Sequence, residues 1–141
     1  MPLREISSRL VTVTALLVDG CDSNHGLYMD GAQQLAFIGC EGNARPVVPD
    51  LRTRQTTAHF DTGNTPDVLA FDTGLDRLYL AAEDGTVSIS DEHGRTRTPV
   101  ASAQLADHAH TVSVDQSTHR VYFPLQDVNG HPVLRIMEPT Q

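Results

Sequence analysis

Three stretches of this chain can be laid beneath one another without a gap. Residues 25–40 read HGLYMDGAQQLAFIGC, residues 67–82 DVLAFDTGLDRLYLAA, and residues 110–125 HTVSVDQSTHRVYFPL. The superposition aligns Asp30, Asp72 and Asp115, then Phe37, Tyr79 and Tyr122, and the aspartates are spaced by 42 and then 43 residues. A fixed period restricts the chain to repeat architectures, where each unit buries its apolar face against the next. No window sustains a 3.6-residue apolar period, and β-branched residues dominate the apolar runs, so the units are made of strands.

The second copy shows the pattern best: strands at DVLAFD (67–72), RLYLAAE (77–83), TVSISDE (86–92) and, more weakly, TRTPVASAQ (96–104), with a tight hairpin at Asp84-Gly85. The first copy supplies GLYMD (26–30), LAFIGC (35–40), ARPVVPDL (44–51) and TTAHFDT (56–62). The third supplies HTVSVD (110–115), RVYFPLQD (120–127) and PVLRIME (132–138), turning at Asn129-Gly130. Four short antiparallel strands per period of about forty residues are the signature of β-propeller blades. The expected fold is therefore all-β, a partial β-propeller of about three four-stranded antiparallel blades. It forms a single repeat domain over residues 1–141, with a leading strand at about 5–20 and blades at about 21–62, 63–105 and 106–141. The segment 5–17 echoes 50–60, the end of the next repeat, and so reads as a fourth strand and not as an export signal. Pro46 and Pro49 fall where a third strand bonds on both sides, which predicts a strained or displaced strand there.

The stretch GNTPDVLAFDTGLDRLYLAAEDGTVSISD (63–91) resembles the YVTN-type β-propeller repeat, and HTVSVDQSTHRVYFPLQD (110–127) is similar to repeats of YncE-like and lactonase-like propellers. The resemblance runs from about residue 5 to 138. It implies the fold and leaves activity open, because such propellers serve as enzymes, binding modules and surface proteins. It also implies a periplasmic or extracellular setting.

Composition removes several classes of function. The formal charge is −8, and all ten positive residues are arginine, with no basic cluster or aromatic platform to grip nucleic acid. No apolar run approaches the ~20 residues of a membrane span. No nucleophile elbow, phosphate loop or HExxH motif occurs. The two cysteines, Cys21 and Cys40, admit one bridge in an oxidising compartment. Cys40 aligns with Ala82 and Leu125, however, and on that ground is expected to be a small buried apolar residue.

In a propeller the first strand of each blade lines the central channel, and the equivalent positions at its start are His25, Asp67 and His110. Two imidazoles and a carboxylate suit a divalent metal ion, the one candidate cofactor. The plainer expectation is that these histidines bond neighbouring backbone. Glu41 and Glu83, aligned with Gln126, and the His108–His110 pair are expected to be solvated loop groups. Asp30, Asp72 and Asp115 recur in every unit, which points to a structural role in closing the following turn.

Three blades make less than a ring, since closed propellers have four to eight. An open wedge leaves apolar flanks that favour self-association, for instance as a homodimer ring of six blades, or docking onto missing blades of a larger propeller. The function expected is a non-enzymatic binding or interaction scaffold. The alternatives are a metal-dependent channel enzyme of lactonase-like or lyase-like type, with His25, Asp67 and His110 as ligands, and a truncated repeat protein without independent activity.

Overall fold

The computed structural model describes residues 14–140. It contains three antiparallel sheets. The first is β1 (Asn24–Asp30), β2 (Leu35–Cys40), β3 (Val47–Asp50) and β4 (Gln55–His59), in that order across the sheet. The second is β5 (Pro66–Asp72), β6 (Arg77–Ala82), β7 (Thr86–His93) and β8 (Thr96–Gln104). The third is β9 (Ser113–Val114), β10 (Val121–Val128) and β11 (His131–Met137), so among the described residues it has three strands, not four. The expected leading strand lies outside the described residues up to position 13, and residues 14–18 carry no regular structure.

The middle sheet is covered on both faces, which explains why β6 reads as an unbroken apolar run. Its Leu78 and Leu80, with Leu69 and Phe71 of β5, pack against Leu35, Phe37 and Val48 of the first sheet. Its Tyr79 and Ala81, with Val87 of β7, pack against Val121, Phe123 and Leu125 of the third. Alternation of side chains along one strand thus feeds two separate cores. At the rim between the first two sheets the Arg97 guanidinium lies 3.5 Å from the Phe60 ring centroid and pairs with buried Glu92. Arg95 of the second sheet reaches Asp50 of the first, a carboxylate also held by Arg52.

Asp30 accepts a hydrogen bond from the Gln33 amide, Asp72 from those of Gly74 and Leu75, and Asp115 from that of Ser117. The recurring aspartate therefore closes the inner hairpin, as its recurrence predicts. Each of these hairpins ends on a left-handed residue at the same repeat position: Gln34, Asp76 and His119, with φ of 53°, 51° and 63°. The prolines shorten β3 without abolishing it. Pro46 precedes the strand, and a register shift between Val48 and Pro49 places the residue that lacks an N–H at a bulge.

One expectation is overturned. Cys40 is buried, but it is not a lone apolar residue: it forms a disulfide with Cys21, Cα–Cα 5.3 Å. Cys21 aligns with Gly63 as Cys40 aligns with Ala82, and a Cβ added to Gly63 would lie 3.0 Å from the Ala82 Cβ. The repeat brings these two positions together in the second blade as well, so in the first blade two cysteines there are positioned to bond.

Candidate functional site: a carboxylate between two histidines

The inner strands β1, β5 and β9 lie side by side, and the starts of the first two are bulged. The register shifts between His25 and Leu27 on β1 and between Pro66 and Val68 on β5. Bulges of this kind turn a side chain away from the regular alternation. Two positions upstream of each site residue the backbone is again left-handed: Ser23, Thr65 and His108, with φ of 55°, 55° and 62°. The Ser23 and Thr65 carbonyls accept hydrogen bonds from the Glu41 and Glu83 amides, at 3.0 and 2.9 Å. Each of these two strands is thereby tied to the end of its hairpin partner.

The result is a cluster across three blades. All three residues expected from the sequence meet. Asp67 stands in the centre, 6% exposed. His110 Nδ1 lies 2.5 Å from its Oδ2, in hydrogen-bonding geometry. His25 Nε2 lies 2.7 Å from its Oδ1, yet Oδ1 has no hydrogen-bond partner, because that contact is not aligned as one. The plainer expectation, that these histidines bond neighbouring backbone, gives way to side-chain contacts with Asp67.

Glu41 and Glu83 are drawn in as well. Glu41 Oε1 is 3.6 Å from His25 Nδ1. His25, Glu41 and Asp67 form one set whose ligand atoms lie within 4.8 Å of one another, and Asp67, Glu83 and His110 form a second. These glutamates were legible only as aligned positions at the end of each second strand. What makes them site residues is the inter-blade distance, which a repeat period does not report. His108 belongs to neither set; with His110, Pro124, Leu125 and Leu134 it lines an adjoining cleft of about 490 Å³.

Gly26 allows this approach of the blades. Its φ is +68°, and a Cβ added there would sit 1.6 Å from the Asp67 carbonyl oxygen. The inner strand of the first blade touches the backbone of the second at the residue that follows His25.

No family model matches the chain, and no curated protein matches it. Solved structures do. The Swd1 (Cps50) β-propeller domain of Myceliophteria thermophila superposes with a TM-score of 0.66 at 12% identity, over 89% of this chain and 41% of that one. A chain of a nidogen/laminin complex gives 0.65 at 15%, over 89% and 48%. The hydrazine synthase of Kuenenia stuttgartiensis gives 0.64 at 14%, over 81% and 32%. At such identities the likeness shows the fold alone: a β-propeller type of protein. The chain spans between about a third and a half of the length of these structures. Among the described residues no helix is long and apolar enough to cross a membrane.

Proposed function

We propose that this chain is a binding scaffold of YVTN-type β-propeller repeats, and that a second copy completes its wedge of three sheets to a six-sheet ring. The observation that carries this reading is the state of the two end sheets. On the first, Leu27 and Met29 are 61% and 44% exposed, on the face opposite Tyr28 and Phe37. On the third, Leu134 and Ile136 are 59% and 54% exposed, on the face they share with Pro124 and Tyr122. In the middle of the molecule the corresponding sheet faces are covered by the next blade. Apolar rows of this kind at both ends of a repeat stack call for covering. The chain covers 41% and 48% of the length of two neighbouring structures, a share in keeping with part of a ring that a second copy would extend.

Light scattering coupled to size exclusion tests this reading. A single species at twice the 15.4 kDa chain mass is expected. Replacing Leu134 and Ile136 together by Asp should convert it to monomer. A stable wild-type monomer, or a polydisperse aggregate, overturns the ring.

A second reading, a metal-dependent channel enzyme of lactonase-like or lyase-like type, is favoured by the unpartnered Asp67 oxygen. It depends first on whether the cluster holds a metal.

A further inference from the structure

We propose that His25, Glu41 and the Oδ1 oxygen of Asp67 hold one divalent transition-metal ion, with His110 fixing the Asp67 carboxylate from its other oxygen. This inference concerns residues within one chain and stands whether or not the ring forms.

The argument begins with Asp67. A carboxylate buried between blades is costly unless both oxygens are engaged. Oδ2 is engaged by His110. Oδ1 is buried and unpartnered, although an imidazole nitrogen stands 2.7 Å away. A buried carboxylate oxygen that accepts no hydrogen bond and faces an imidazole nitrogen is a group that a cation between the two would engage. In a tetrahedral site with bonds of about 2.0–2.2 Å, neighbouring ligand atoms stand roughly 3.4 Å apart, so a small outward turn of the exposed His25 ring opens the needed space. Glu41 completes a three-ligand set within 4.8 Å.

Charge points the same way. Glu41, Asp67 and Glu83 gather around two imidazoles, and among the described residues none of the three pairs with an arginine. A dication balances that charge. One nitrogen with two carboxylate oxygens suits zinc or a neighbouring first-row metal better than calcium, which takes six to eight oxygens.

The frame is stiff, as a metal site needs. The Cys21–Cys40 disulfide ends one residue before Glu41, and the Glu41 amide is tied to Ser23. His110 acts as an outer-shell partner that orients a ligating carboxylate. The second set, Asp67, Glu83 and His110, ranks behind the first because its histidine is already bonded to the Asp67 carboxylate.

Equilibrium dialysis of the full chain against Zn²⁺, repeated with Co²⁺ to record its visible absorption, tests the proposal. One equivalent per chain is expected. His25→Ala and Glu41→Gln should each weaken binding at least ~10-fold and reduce the Co²⁺ bands, and His110→Ala should weaken it by about 10-fold. His93→Ala removes an exposed histidine beside Asp76 and should change nothing. The side chain of His25 is 57% exposed, so His25→Ala should keep the metal-free melting temperature of the parent. Absence of stoichiometric binding, binding that survives His25→Ala, or an equal loss on His93→Ala overturns the site. None of these outcomes bears on the mass measurement that tests the ring.

Discussion

His119 Nδ1 stands 2.8 Å from Asp72 Oδ2 and 3.0 Å from Oδ1, joining the turn of the third blade to the turn of the second. Asp72 is fully buried and also accepts the Gly74 and Leu75 amides. One carboxylate therefore closes its own hairpin and latches the next blade.

Asp72→Ala should unsettle both at once. It strips two turn amides and the imidazole of their acceptor inside a buried site, a loss of about 3 kcal/mol. His119→Ala removes only the latch and should cost about 1 kcal/mol. Urea unfolding of both variants checks the order. Equal effects would mean that the turn bonds contribute nothing of their own.

Gly26 sits where the inner strand of the first blade leaves no room for a side chain against the second. Gly26→Ala requires a left-handed φ of a non-glycine residue and drives a Cβ into the Asp67 carbonyl oxygen, which is backbone and cannot swing aside. The expected loss is more than about 3 kcal/mol, with the first blade displaced. Gly31→Ala, where a Cβ meets nothing within 4 Å, is the control and should change stability little.

What could be read from the sequence follows from what a period carries. β2 falls where the repeat puts it, β8 follows as the weaker fourth strand of the second copy, and the turn aspartates do what their recurrence predicts. The aligned positions His25, Asp67 and His110 meet because equivalent positions on adjacent inner strands are neighbours by construction. A period does not say which non-equivalent residues meet. Asp72 with His119, and Arg95 with Asp50, join different repeat positions across a blade boundary, and neither pair leaves a trace in the alignment. β9 is confined to Ser113–Val114, although the sequence reads a strand over 110–115, and just upstream the His110 amide bonds the His108 carbonyl in a tight turn. The disulfide is passed over for another reason: one bridge between Cys21 and Cys40 is open, but alignment of Cys40 with alanine and leucine, which describes its burial correctly, favours a lone apolar residue.

Asp50 makes the fold sensitive to acid in a defined window. Hydrogen bonds from the Arg52 side chain, opposed by burial and reinforced by the charges of Arg52 and Arg95, hold its pKa at about 2, down from 3.8. A depressed folded-state value means that the stabilisation is complete above the unfolded value near 4 and fades as pH falls towards 2. Asp91, held down by its hydrogen bonds to Arg77, acts in the same direction. The melting temperature should therefore fall between pH 4 and pH 2. In Asp50→Asn that fall should be shallower, from a lower value at neutral pH. Parallel curves for the two proteins would rule out Asp50 as a source of the acid sensitivity.

The disulfide ties the segment before β1 to the end of β2, across a sequence separation of 19 residues. Closing a loop of that size restricts the unfolded chain and stabilises the fold by about 3 kcal/mol on the loop-entropy account. Protein made in an oxidising compartment should show no free thiol when titrated under denaturing conditions. Reduction, or Cys21→Ser, should lower the urea midpoint. Because Cys40 directly precedes Glu41 while Cys21 lies just upstream of Ser23 and His25, the loss should fall first on the start of β1. Hydrogen exchange should then accelerate at residues 24–27 and stay unchanged along β6, whose faces are both covered. Uniform acceleration through β6 would show instead that the bridge supports the whole stack and not the one blade that contains it.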